Sequence, residues 1–297
     1  MSAAAAPRDQ AAGLRARPAS PAGFTLAVTS GKGGVGKTCL AVNLALVLSQ
    51  AGRRTCLFDG DLGLANVDVL LNLRPHGSLR DVLLDGRRLA EVVTPGPAGL
   101  QVIPAASGVE ALATLAPAAR RALGGALVEA GWLADVTILD TGAGISATVL
   151  RLVLAADQAA LVTTPEPTAI TDAYAMLKVL SQRRPALPVA LVVNMAEEGG
   201  QAREVHAQLA RIAGRFLGRD LPLLGWVPRD GCVERAVRVQ RPLALYFPHA
   251  RATESIRALA RQVDRGTPPA GPGFWGRLLE PVEEAAAPGR VHAGRLE

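Results

Sequence analysis

The chain has 297 residues, about half of them apolar, and a formal charge of +6, enough for one large α/β core with tails. No run approaches the roughly 18 apolar residues of a membrane span, there is no apolar signal core, and Cys39, Cys56 and Cys232 are odd in number and widely spaced. These features argue against a membrane-spanning or disulfide-framed chain and point to reduced thiols in a cytoplasmic protein. The positive charge is spread along the sequence, so it suits an anionic ligand, a membrane surface or nucleic acid without choosing among them.

Residues 1–22, rich in Ala, Pro and Arg, read as a disordered tail containing the short cluster Asp9–Arg15. From Phe24 onward strands and helices alternate. Strands are expected near 24–30, 55–59, 100–105, 136–140, 159–164, 189–194 and 222–227, as short apolar runs with β-branched residues. Helices are expected near 37–51, 78–84, 108–130, 146–156, 169–183, 200–217, 231–239 and 250–265. This alternation implies right-handed crossovers and a doubly wound, mainly parallel sheet with helices on both faces. One domain over 23–266 and a flexible tail over 267–297 follow.

Gly31–Thr38, GKGGVGKT, fits the pattern G-x-x-x-x-G-K-[ST] between an apolar strand and a helix, the context that a phosphate-binding loop requires. Gly31, Gly33, Gly34 and Gly36 let backbone N–H groups turn toward phosphate oxygens, and the following helix adds the positive end of its dipole. Lys37 reaches the β- and γ-phosphates and Thr38 ligates Mg²⁺. Lys32 is surplus to that pattern, yet only three of the 32 basic residues are Lys, and two fall in this window.

In an open α/β sheet, ligands bind beyond the carboxyl ends of the strands. Asp59, Asp61, Asp140, Asn194, Pro228 and Arg229 all fall there. Asp140 ends an apolar strand, as the carboxylate behind Mg²⁺ does in phosphate-loop NTPases, and Gly142 and Gly144 beyond it can bring N–H groups to the γ-phosphate. Asp59 is expected to bond a magnesium-bound water and Asp61 to orient the attacking water, although Asp and Gly are also ordinary turn formers. Asn194 reads either as an adenine contact or as a plain strand-end residue.

Together with DGDLGLANVDVLL, DTGAGIS and TTPEPTAITDAYA, this loop resembles that of the deviant-Walker-A ATPases of the MinD/ParA class, which are P-loop NTPases. Over residues 24 to 265 the chain most resembles the flagellar number regulators FlhG, FleN and YlxH, and DQAAGLR is similar to the N-terminal DQAxxLR motif of that branch. The resemblance implies a Mg²⁺-dependent ATPase that forms a homodimer on ATP binding. Lys32 would then be the signature lysine that reaches the partner's phosphates, acting with Lys37 and Asp61 in catalysis. It implies ATP contacts from Gly33, Gly34, Val35, Gly36, Lys37, Thr38, Cys39, Asp140, Gly142, Asn194, Pro228 and Arg229, and a metal shell backed by Thr38, Asp59 and Asp140. It further implies that Asp9, Gln10, Leu14 and Arg15 engage FlhF, a GTPase like that of the signal recognition particle. Flagellar switch-complex proteins and a flagellar transcription activator are implied as further partners, and no specific nucleic acid.

Near the C-terminus, Phe274, Trp275, Leu278 and Leu279 surround Arg277 at helical spacing. The segment resembles the family's membrane-targeting helix, which implies ATP-dependent peripheral association with the inner face of the cell membrane. Pro281, Glu280, Glu283 and Glu284 depart from it, since they shorten the helix and oppose anionic lipid. A DNA-positioning ATPase of the ParA type and a division-site regulator of the MinD type are the competing readings.

Overall fold

A computed structural model describes residues 23–61, 66–104, 134–264 and 273–279. Eight strands form one sheet: β1 (Phe24–Ser30), β2 (Thr55–Gly60), β3 (Thr94–Pro95), β4 (Gln101–Ile103), β5 (Val136–Ala143), β6 (Gln158–Thr163), β7 (Val189–Ala196) and β8 (Leu223–Pro228). Their order is β3-β4-β2-β5-β1-β6-β7-β8. Every pairing is parallel except β3 with β4. All seven residues of β1 are buried, as expected of a central parallel strand covered on both faces.

Among the described residues, the helices are α1 (Lys37–Gln50), α2 (Val67–Leu71), α3 (Leu79–Leu84), α4 (Leu89–Val92), α5 (Ala147–Ala155) and α6 (Pro167–Arg183), then α7 (Gly199–Leu217), α8 (Gly231–Arg238), α9 (Leu243–Tyr246), α10 (Arg251–Val263) and α11 (Phe274–Leu279). Side-chain alternation along β2 divides them between two cores. Phe58 joins α5, α6, α7 and α11 on one face, whereas Leu57 joins α1, α2, α9 and α10 on the other. Helix α1 is buried over most of its length because α10, α2 and α9 cover its outer side.

The expected doubly wound sheet is present, with strand boundaries moved by up to three residues. The short β3, α2, α4 and α9 were not expected, being too brief to carry a periodic signal. The helix expected near 108–130 and the motif DQAAGLR lie outside the described residues. One expectation needs correcting: residues 274–279, read as part of a flexible tail, form α11 and pack into the first core, with Phe274, Trp275, Leu278 and Leu279 all buried. The same apolar spacing that suits a lipid surface also fits a gap on the sheet. Here the gap is lined by Phe58, whose ring lies 6.1 Å from Phe274 and 5.5 Å from Trp275.

Candidate nucleotide site

The loop leaves β1 at the carboxyl edge of the sheet and enters α1 at Lys37. Gly36 has φ 84°, and a Cβ there would lie 2.4 Å from the Asn194 amide nitrogen. No other residue type fits that turn without strain. At Gly31 a Cβ would lie 1.9 Å from the Asp172 carbonyl oxygen, so α6 closes tightly over the start of the loop.

Three carboxylates gather at the mouth. Asp59 and Asp140 face each other in register on β2 and β5, and both are buried. Burial is the largest influence on each and pushes each carboxyl up to about 7. The negative neighbour Asp140 adds to the effect at Asp59, whereas Thr38 and Lys37 hold Asp140 back. Neither carboxylate oxygen of Asp140 has a hydrogen-bond partner of normal geometry. Asp61 donates its backbone N–H to Asp59 Oδ1 at 3.1 Å, and a Cβ on Gly142 would lie 3.5 Å from Asp61 Oδ1. Lys37 is 7% exposed; desolvation lowers its pKa, opposed by Asp140 and Asp61.

A buried carboxylate with no well-formed hydrogen bond among the described residues, beside the Thr38 hydroxyl, fits the oxygen-ligand demands of Mg²⁺. Among the described residues no group of three or more acidic, His or Cys side chains forms a cage, so Thr38 and Asp140 would hold only part of the shell, with phosphate and water completing it. Bound there, the ion would neutralise charge developing on the phosphates. With nucleotide and ion bound, Asp61, the less buried of the three carboxylates, would face the water and Lys37 would lie beside the phosphates.

Asn194, Pro228 and Arg229 come together, with Gly36 and Cys39, around a neighbouring pocket of about 210 Å³. Asn194 has a structural bond that the sequence did not suggest: its amide nitrogen donates to the Val35 carbonyl at 2.8 Å and ties the loop to β7. Arg229 anchors β8 to β7 through its backbone N–H on the Ala196 carbonyl and pairs with Glu197 at 2.9 Å. Cys39 is a half-buried thiol pushed up to about 11 by desolvation, which disfavours the reactive thiolate.

The profile of the ParA family, described as NUBPL iron-transfer P-loop NTPase, matches residues 23–264, a span that contains the loop, Asp59, Asp61 and Asp140, and the pocket beside Asn194. The chain belongs to this family. It is 42% identical to the antiactivator FleN of Pseudomonas aeruginosa over 247 residues, covering 83% of this chain and 88% of that protein. It is 36% identical to the flagellum site-determining protein YlxH of Helicobacter pylori, covering 79% of this chain and 80% of the relative. Among solved structures, the cell division ATPase MinD of Pyrococcus furiosus aligns with TM-score 0.65 at 26% identity, covering 82% of this chain and 98% of that one. MinD of Pyrococcus horikoshii, complexed with Mg-ADP, aligns with TM-score 0.65 at 25% identity, covering 82% and 96%. As a ParA-family member the chain is an ATPase.

In this ParA-family site Lys32 stands apart from its own loop. Its ammonium lies 3.0 Å from Glu166 Oε2 and 2.9 Å from Thr168 Oγ1, at the start of α6, and its side chain is 37% exposed. Glu166 and Thr168 escaped the sequence reading as site residues, although both lie within TTPEPTAITDAYA. Also missed was the latch on α11: Arg277 bonds the Ala155 carbonyl and pairs with Asp157, which in turn accepts the Thr25 backbone N–H at 2.7 Å. Neither residue sits in a recognisable motif. The iron-transfer element of the family description finds little chemistry here, since Cys56 is buried and pushed up to about 12, and the half-buried Cys39 and Cys232 are raised as well.

Proposed function

We propose that the chain is an ATP-driven dimerising switch that sets flagellar number or placement. The observation that carries this reading is Lys32: an ammonium beside the phosphate loop that is directed away from it, toward Glu166 and Thr168, and in this reading a second copy stacks on that face. Lending that ammonium to a neighbour's phosphates makes hydrolysis depend on dimerisation, as an arginine finger does in trans. Asp61 orients the water in this scheme, and Asp59 positions the metal-bound water. The likeness to FleN and YlxH supports a flagellar output.

Light scattering with ADP and with a non-hydrolysable ATP analogue tests the switch. Asp61→Ala is expected to accumulate ATP-bound dimers, and Lys32→Ala or Lys37→Ala to prevent productive ones. Monomeric Asp61→Ala protein at saturating Mg²⁺-ATP would refute the scheme.

Output in this reading passes through an FlhF-type GTPase engaged by Asp9, Gln10, Leu14 and Arg15, and through switch-complex and transcription-activator partners. Removal of residues 1–22 is then expected to abolish GTPase stimulation while leaving ATP turnover intact. Membrane contact belongs to the ATP-bound dimer and needs α11 to leave the first core. The burial of its four large apolar side chains supports such a gated step over a permanently available anchor. Sedimentation with anionic vesicles, with and without ATP, checks it; equal binding in both conditions counts against gating.

A further inference from the structure

A second feature lies away from the nucleotide, on the α1 side of the sheet. A groove of about 400 Å³ runs between Leu71–Asn72, at the end of α2, and the segment Val239–Tyr246. Of the seven large apolar side chains that are exposed among the described residues, Val69, Val237, Val239, Leu245 and Tyr246 belong to α2 or to the α8–α9 segment. Such gathering on a water-facing surface marks a contact site. The rim is held in a defined shape. Three of the four non-glycine residues with left-handed backbone, Asn72, Ala98 and Gln240, lie in the groove or beside its Pro97, and such positions persist where function fixes them.

Charge identifies the occupant. Arg241 lines the groove, Arg238 precedes it and Arg74 follows Asn72; all three are exposed, and among the described residues none is in an ion pair. Among the described residues no acidic side chain lines it. Backbone N–H groups of Gln240, Arg241, Leu245 and Tyr246 already bond internally, which leaves no edge for an added strand. We infer that this groove docks an acidic amphipathic helix of another protein, with apolar residues set between Leu245, Tyr246 and α2 and its carboxylates beside the arginines. The groove joins the helix that follows Asp59 and Asp61 to the segment that follows the pocket beside Asn194, and Val237 lines that pocket. A helix docked here would therefore touch the elements leading from both halves of the nucleotide site.

The test uses the full chain and a fluorescein-labelled 18-residue peptide with Leu at i, i+3, i+4 and i+7 spacing and Glu elsewhere, followed by anisotropy. A matched peptide with Lys in place of Glu is the control. Binding of the Glu peptide is expected to weaken about tenfold in Leu245→Ser, the loss of one interface anchor, and by a similar factor in Arg241→Glu. The Lys peptide is expected to bind Arg241→Glu more tightly than the unaltered protein. Circular dichroism and ATP turnover confirm that the variants are folded. Failure of the Glu peptide to bind, or binding indifferent to both substitutions, overturns the inference. So does a nucleotide-independent dimer lost in Leu245→Ser, which assigns the groove to a second copy, or preferential capture of a DNA oligonucleotide by the arginines.

Discussion

Replacing Arg277 by Ala should release α11 while the rest of the domain stays folded. Burying its four large apolar side chains contributes roughly 1.5–3 kcal/mol each, or about 6–12 kcal/mol together. Ordering six residues of backbone costs about 1–2 kcal/mol each, again about 6–12 kcal/mol. These two terms nearly cancel, so the polar contacts of α11, the buried pair with Asp157 and the two Arg151 bonds to the Leu278 carbonyl, decide whether the helix stays down, and the buried pair is the stronger. Removing one member of a buried pair costs about 3–5 kcal/mol; the lower end applies here because Asp157 keeps the Thr25 N–H. Trp275 reports the outcome. With Trp132 and Trp226 replaced by Phe, so that Trp275 is the one tryptophan left, the Arg277→Ala protein should show red-shifted, acrylamide-quenchable emission and rapid amide exchange over 274–279, and it should bind anionic vesicles without ATP. Unchanged emission and exchange in the variant would refute the reasoning.

Glu166→Ala removes one of two groups that hold Lys32. Because the pair is largely exposed it is worth no more than ~1 kcal/mol, so ATP-dependent dimerisation should strengthen by up to about fivefold in sedimentation velocity. Asp59 and Asp140 have folded-state pKa values raised from 3.8 to about 7, so the folded chain holds more protons than the unfolded chain between those limits. Their contribution is complete below about pH 4 and is lost as pH rises through about 7; the nucleotide-free protein should melt several degrees higher at pH 5.5 than at pH 8. Asp140→Asn should flatten this dependence, and Mg²⁺-ATP should raise the high-pH melting temperature most. Gly36→Ala forces a Cβ into a left-handed turn and against Asn194, and calorimetry should find nucleotide affinity reduced more than tenfold.

The nucleotide site was legible because its chemistry is local in sequence. A phosphate cradle needs glycines and a lysine at fixed offsets, and the strand ends deliver Asp59, Asp61 and Asp140 to one edge once the sheet is parallel. Asn194 was placed at the right edge, but its bond to the Val35 carbonyl depends on how β7 meets the loop, which no spacing encodes. Lys32 was marked by composition, whereas its holder Glu166 lies 134 residues away. The docking of α11 was illegible for a physical reason. Apolar residues at i and i+4 fit a lipid surface and a protein groove equally well, and the choice rests on Phe58 and Asp157, more than a hundred residues upstream.

Adjacent positions on one strand tie the two faces of the sheet together. Phe58 points into the layer that α11 completes, while its neighbour Asp59 lines a pocket with Val67 and Leu73 at the carboxyl end of the strand. A shortened chain ending before Phe274 is therefore a poor blank in lipid experiments, since it strips cover from a ring bonded directly to the switch and leaves a sticky hollow in its place. Point changes that keep the helix seated, such as Asp61→Ala, isolate nucleotide effects more cleanly than any tail deletion.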